Sequence, residues 1–144
     1  MDPVSQCLFG ASLSGSFSKK KNISTALLCG TVGGIFPDID VFIKSQNDPL
    51  LFIEYHRHFT HSLVFVPFGG LLVSLFLYIF LKKKLSFKYI FLFSTIGLLS
   101  HGILDSCTSY GTNLFWPLSD HRVAWNIISI IDPIYTFTLL FFLI

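Results

Sequence analysis

The sequence predicts an all-α membrane protein, a polytopic bundle of about four to five helices, some of them short and only partly spanning. Two observations predict this fold class. Of the 144 residues, 52% are hydrophobic and only 12% are charged, whereas soluble domains carry about 25% charged residues. Three apolar segments, 63–81, 89–104 and 127–144, also approach the length that crosses a hydrocarbon core. The chain length predicts one membrane-embedded domain over 1–144.

Two shorter helices are predicted before these segments, over 3–17 and 22–36. Both stretches are rich in Gly, Ser and Ala, which allow helices to pack closely inside a membrane bundle. Residues 41–53 and 106–126 hold Pro, Asn, Asp, Ser and Gly and are predicted to be loops. The last apolar segment runs to residue 144, so we expect either a partial crossing or a chain truncated at that end.

The distribution of charge predicts how the helices are oriented. Seven of the ten basic residues occupy two connections between predicted helices: Lys19, Lys20, Lys21, Lys82, Lys83, Lys84 and Lys88. Positively charged connections face the cytoplasm in most membrane proteins. When both connections are placed there, all five histidines and nearly all acidic residues fall at or near the extracytoplasmic face. The net charge of only +2 excludes the basic field that nucleic-acid binding needs.

Three short motifs at that face carry titratable side chains. Residues 54–62, EYHRHFTHS, place three histidines directly before an apolar run. Asp38 and Asp40 follow a proline that is expected to stop the preceding helix, and in an extended segment both carboxylates would point the same way. His101 and Asp105 are four residues apart near a helix end, so they share one face of that helix.

Imidazole and carboxylate groups without thiolate are the ligands of catalytic Zn²⁺ and of Mn²⁺ and Fe²⁺ sites. Each motif alone has a simpler interpretation. A histidine near the membrane such as His58 or His121 is often solvated, the His101–Asp105 pair would fit a hydrogen bond inside the bundle, and PDID would fit a helix stop with an Asx turn. Asp132-Pro133 is a natural helix start. The convergence of all motifs on one face favours a metal site.

The motifs MDPVSQ, PDID, EYHRHFTHS, HGILDSCTSYGT, WPLSD and IIDP occur in this order along the whole chain. In this the chain resembles the YdjM-like family of bacterial membrane-bound, predicted metal-dependent hydrolases. That family is thought to be distantly similar to zinc-dependent phospholipases C and S1/P1 nucleases. The resemblance implies a multi-pass protein of the bacterial cytoplasmic (inner) membrane that binds one or more divalent metal ions, expected to be Zn²⁺.

The resemblance also implies roles for individual residues. The metal-ligand positions are Asp38, Asp40, His56, His61, His101 and Asp105. Asp40 is also expected to act as a general base, and Arg57 to pair with a phosphate. Five further residues are expected next to the ligands: Gln6, His58, Thr60, Ser62 and Asp132. The chain departs from the family where it has Ser5-Gln6 in place of Thr-His, and where His58 replaces a glycine.

The function predicted from these residues is hydrolysis of a phosphoester or another ester at the extracytoplasmic face, with a lipid or lipid-linked substrate reaching the site from the bilayer. A bound dication would activate water and stabilise charge on phosphoryl oxygens. Two other classes remain open at this point. One is a small transport protein that moves protons or divalent ions through His/Asp pairs, and the other is an inactive member that acts as a membrane adaptor. No oligomeric state is predicted.

Overall fold

The computed structural model describes residues 1–42 and 56–143. Five α-helices form this part of the chain: α1 (Pro3–Ser16), α2 (Ile23–Ile35), α3 (Phe65–Leu81), α4 (Phe87–Ser106) and α5 (Pro133–Leu143). Short 3-10 segments lie at Lys20–Asn22, Phe36–Phe42 and Phe59–His61. Within the described ranges there is no β-strand, only two isolated bridges in the segment between α4 and α5. The all-α fold class is therefore confirmed.

Capping residues mark the starts of the first and last helices. The carboxylate of Asp2 accepts a hydrogen bond from the backbone N–H of Ser5 at 2.9 Å, with Pro3 in the first turn of α1. Asp132 does the same for α5, where its Oδ1 accepts from the N–H of Tyr135 at 3.1 Å. An Asp side chain satisfies backbone donors that a helix start leaves open, and Pro fits there because it lacks a donor. The helix start predicted at Asp132-Pro133 is confirmed.

Helix α4 is the centre of the bundle, since it packs against α1, α2 and α3. Helix α5 packs on the outside, against α1. Buried apolar side chains of α2, α3 and α4 form a continuous core, which includes Cys29, Val73, Leu77, Ile90 and Phe93. Two helical segments, Lys20–Phe42 and Phe87–Ser106, are long and apolar enough to cross a membrane.

The helices run back and forth so that the two lysine-rich connections share one end. A cavity of about 180 Å³ at that end is lined by Lys19 and Lys21 from the first connection and by Tyr89 and Phe93 from the start of α4. The opposite end gathers the start of α1, the segment after α2, the residues before α3 and the end of α4. The histidines and aspartates of the predicted site lie on these segments.

One local prediction is wrong, and one lies outside the described residues. Asp38 and Asp40 do not lie on an extended segment, because Phe36–Phe42 continues from α2 as a 3-10 helix. The α-helix α2 does end just before the proline, at Ile35, and the chain then continues as a 3-10 helix, where Pro37 occupies an early position that needs no backbone donor. The last helix, whose start at Asp132-Pro133 was predicted, has 11 described residues, fewer than the apolar segment 127–144. Of the predicted loop 41–53, residues 43–53 lie outside the described ranges.

Candidate metal centre

Three side chains from separate segments bring ligand atoms together at the polar end of the bundle. One ligand atom from each of Asp38, His61 and His101 lies within 4.8 Å of the other two. The two Nε2 atoms of the histidines are 2.9 Å apart. Asp38 Oδ1 lies 3.6 Å from His61 Nε2 and 3.4 Å from His101 Nε2. Ligands at zinc distances in a tetrahedron are about 3.3 Å apart, so this triangle has the size of one face of such a site.

Hydrogen bonds on the far edge of each ring determine where the lone pairs point. His101 Nδ1 lies 2.5 Å from the backbone carbonyl oxygen of Gly34, which can only accept. His61 Nδ1 lies 2.9 Å from the hydroxyl of Thr60, and that hydroxyl donates its own hydrogen to Asp40 Oδ2 at 2.8 Å. Both Nδ1 atoms are therefore donors, which leaves the two facing Nε2 atoms as the positions that can bind a proton or a metal ion.

The arrangement of acceptors at the centre calls for a positive charge. Asp105 Oδ2 lies 3.4 Å from His61 Nε2 and 3.6 Å from His101 Nε2, and it is buried without a hydrogen-bond partner in the described residues. Burial alone would lower the pKa of His61, yet hydrogen bonds with Asp105, Asp38 and Asp40 raise that pKa to about 10. Oxygen and nitrogen acceptors that converge in this way suit a proton or a divalent metal ion of the Zn²⁺, Mn²⁺ or Fe²⁺ group.

Asp105 is held beside Asp38, His61 and His101 (the trio) by donors from the start of the chain. Its Oδ1 accepts from the amino group of Met1 and from Gln6 Nε2, the latter at 2.9 Å. The Nε of Arg57 lies 3.2 Å from the other oxygen. The i, i+4 pairing of His101 with Asp105 on α4 is confirmed. Gln6 donates to a carboxylate of the cluster through its amide nitrogen.

Asp38 and Asp40 lie at opposite edges of the His61 ring, Asp38 near Nε2 and Asp40 on the Nδ1 side. In a 3-10 helix residues two apart point about 240° apart around the axis, so the two carboxylates face different partners. Asp40 is 1% exposed, its Oδ1 pairs with His56 Nδ1 at 2.9 Å, and its Oδ2 accepts from the backbone N–H of Arg57 at 2.9 Å. Asp40 and His56, both predicted as metal ligands, therefore pair with each other and support the Nδ1 side of His61.

Arg57 adopts a left-handed backbone conformation, with a φ of 63°. Few non-glycine residues do so, and the surrounding structure has to hold them there. The backbone N–H of Arg57 donates to Asp40. The backbone carbonyl oxygen of Arg57 accepts from the N–H of Asn113 at 3.2 Å and from the hydroxyl of Thr112 at 3.1 Å. The segment after α4 thus fixes the histidine-rich segment before α3.

The side chain of Arg57 is part of a cluster that the sequence did not indicate. Its guanidinium lies 4.7 Å from the ring centre of Tyr110, and that of Arg122 lies 4.5 Å from the same ring. Arg122 also donates to the backbone carbonyl of His56 at 3.0 Å. Tyr110 falls within the motif HGILDSCTSYGT, but no residue spacing links it to Arg122 or to Arg57. Only the tertiary structure brings the three together.

Three residues predicted to lie next to the ligands have other contacts. The ring of His58 packs against Trp116, with ring centres 5.3 Å apart. The hydroxyl of Ser62 donates to the carbonyl of Phe59 at 2.8 Å and so closes the turn before α3. Asp132 caps α5. Thr60 alone of the predicted hydroxyl residues contacts a histidine of the trio.

Comparison with known proteins identifies the family of this chain. The family described as YdjM inner membrane protein matches residues 1–144. "Uncharacterized protein YfhP" of Bacillus subtilis (strain 168) is 32% identical over 109 residues, which are 75% of this chain and 33% of that protein. "Inner membrane protein YbcI" of Escherichia coli (strain K12) is 33% identical over 111 residues, which are 72% of this chain and 61% of that protein. The chain therefore spans less than two thirds of either relative's length. No solved structure gives a significant match.

Proposed function

Since the chain belongs to the YdjM inner membrane protein family, we propose that it is a membrane-bound metal-dependent hydrolase of phosphoesters. One observation carries the proposal. The Nε2 atoms of His61 and His101 face each other at 2.9 Å with carboxylate oxygens of Asp38 and Asp105 beside them. Arg57 Nε lies beside the Asp105 oxygen at 3.2 Å, and a further cation would offset the negative charge that these four acceptors bring together, since uncompensated charge is costly in a membrane protein.

Asp38, His61 and His101 would hold the ion, and Asp105 Oδ2 lies close enough to join them. A divalent ion there would supply Lewis-acid chemistry, which activates water and neutralises negative charge on a phosphoryl oxygen. Zn²⁺ is the ion that this set of nitrogen and oxygen ligands suits best among those the resemblance implies.

The His56–Asp40 pair would move the proton. His56 Nδ1 donates to the buried carboxylate of Asp40, which orients the ring and stabilises it when it is charged. His56 Nε2 then accepts a proton from water and returns it to the leaving oxygen. The ring centres of His56 and His61 are 6.2 Å apart, and His56 and Asp38 line the same cavity. Arg57, on the wall of that cavity, supplies positive charge for a phosphate.

The proposed location is the extracytoplasmic face of the inner membrane, in a single multi-pass domain. The support is the separation between the two lysine-rich connections at one end and the candidate metal centre at the other. A site at that face opens toward lipid head groups, which suits a lipid or lipid-linked phosphoester.

The metal content of purified protein tests the proposal. We expect elemental analysis to find at least about one equivalent of zinc per chain, and we expect the protein to hydrolyse bis(4-nitrophenyl) phosphate. Asp38→Ala, His61→Ala and His101→Ala each should lose the metal and the activity. His121→Ala is the matched control, because His121 is exposed on the loop after α4. Wild-type protein without a stoichiometric divalent metal, or variants of the trio that keep both metal and activity, would contradict the proposal.

A further inference from the structure

A cavity of about 660 Å³ opens beside the candidate metal centre. Its volume is within the range of sites that bind small molecules, roughly 300–1,000 Å³. Most of its lining is aliphatic or aromatic and comes from the end of α2 and the 3-10 helix after it, including Val32, Ile35, Ile39 and Phe42. Asp38, His56 and Arg57 line it as well. The cavity is therefore apolar over most of its wall and charged where it meets the metal centre.

The apolar side of the cavity lies on a segment suited to contact with lipid. Ile35, Ile39 and Phe42 are 40%, 50% and 81% exposed, and all three belong to the segment Lys20–Phe42, which is long and apolar enough to cross a membrane. An apolar surface of this kind in water would be unfavourable. Hydrocarbon from the bilayer can enter such a cavity from the side without crossing water.

We infer that the cavity binds the hydrocarbon chain of a membrane lipid and places its phosphate head group at the metal centre. The inference rests on the proposed function and specifies the substrate as a lipid phosphoester with a long chain. Charge complementarity supports this occupant. The anionic phosphate would meet the cation held by Asp38 and lie near the positive charge of Arg57, which lines the cavity, while the neutral chain lies against Ile35 and Ile39.

Binding of alkylphosphonates tests the inference, because their carbon–phosphorus bond is not hydrolysed and the measurement needs no turnover. Zinc-loaded protein in phosphatidylcholine nanodiscs would be titrated with butyl-, octyl- and dodecylphosphonate, and uptake by empty nanodiscs subtracted. We expect the affinity to rise by at least about tenfold from butyl to dodecyl, since each added methylene buries apolar surface. Equal affinity for all three lengths would overturn the inference.

Variants that fill the cavity locate the chain. Ile35→Trp and Ile39→Trp each should leave the affinity for butylphosphonate unchanged. The ratio of dodecyl- to butylphosphonate affinity should fall to under about threefold, because the indole fills the space of the chain. Leu72→Trp is the matched control, because Leu72 is 54% exposed on α3 and does not line the cavity. Chain-length dependence that survives both substitutions would mean that the chain binds elsewhere.

The two proposals fail separately. Protein that binds long-chain phosphonates but hydrolyses no phosphoester would sustain the lipid site and contradict the hydrolase. Protein that hydrolyses soluble phosphoesters and binds butyl- and dodecylphosphonate equally would sustain the hydrolase and contradict the lipid site.

Discussion

At the scale of single residues, Thr60 links the two halves of the candidate centre. Its hydroxyl donates to the buried carboxylate of Asp40 and lies within hydrogen-bond distance of His61 Nδ1. Partners on the far nitrogen of a ligating histidine fix its tautomer and its orientation. Thr60 therefore decides which nitrogen of His61 faces His101, although it offers no ligand itself.

Thr60→Val keeps the shape of the side chain and removes the hydroxyl. We expect the zinc affinity to fall by about 10–100-fold, because His61 loses the acceptor that orients its ring. Competition with a fluorescent zinc chelator measures the affinity directly.

Thr60→Ser, which restores the hydroxyl, should bind zinc like the wild type. Thr138→Val is a control for the loss of a threonine hydroxyl at an exposed position on α5. If Thr60→Val bound zinc with unchanged affinity, the hydroxyl would have no part in positioning His61.

At the scale of elements, α1, α2 and α4 meet at glycines. A Cβ added to Gly30 of α2 would collide with the backbone carbonyl oxygen of Gly10 on α1, and one added to Gly97 of α4 would collide with the carbonyl oxygen of Gly30. Backbone atoms cannot move aside as the end of a side chain can. Close approach at small residues is how membrane helices pack, and here it determines the distance between Gly34 and His101.

Gly30→Ala should lower the melting temperature of the detergent-solubilised protein markedly, since forcing atoms into a packed interior costs about 1–3 kcal/mol. It should also weaken zinc binding, because α2 leads into the 3-10 helix that carries Asp38, and α4 carries His101. Thermal unfolding followed by circular dichroism gives the first result, and zinc titration gives the second.

Gly15→Ala is the comparison, because its Cβ would meet only the end of the Leu27 side chain, at 2.8 Å from Cδ2. That side chain can shift, so this variant should melt close to the wild type. Equal melting temperatures for Gly30→Ala and the wild type would show that the three helices are not packed as closely as described.

At the scale of the whole molecule, the fold places the lysine-rich connections and the candidate metal centre at opposite ends. The connection after α1 and the start of α4 share one cavity at the lysine end. Helix connectivity then puts the loop after α4, which includes His121, at the other end.

Cysteine labelling tests whether these ends lie on opposite sides of the membrane. Lys20→Cys, Lys83→Cys and His121→Cys would be made in a chain without its three free cysteines, Cys7, Cys29 and Cys107. In spheroplasts a membrane-impermeant maleimide should label only His121→Cys, and the two lysine positions should react after the membrane is disrupted. Labelling of the two lysine positions but not of His121→Cys in intact spheroplasts would place the centre on the cytoplasmic side.

The sequence by itself determined the class of the protein, the helices and part of the centre. Its apolar composition excluded a soluble domain, and the cap Asp132-Pro133 marked a helix start. The pairing of His101 with Asp105 followed from helix geometry, in which residues four apart always share a face. These are short-range properties, so residue type and spacing are enough to predict them.

Only the tertiary structure decided which side chains converge. His101 contacts Gly34, 67 positions earlier, because two helices pack at glycines. The separation of Asp38 from Asp40 depended on a 3-10 turn where an extended segment was predicted. The stacking of Arg122 on Tyr110 depended on an irregular segment with no period to detect. Such contacts depend on how segments that are distant in sequence pack against each other, and no local pattern of residues encodes that packing.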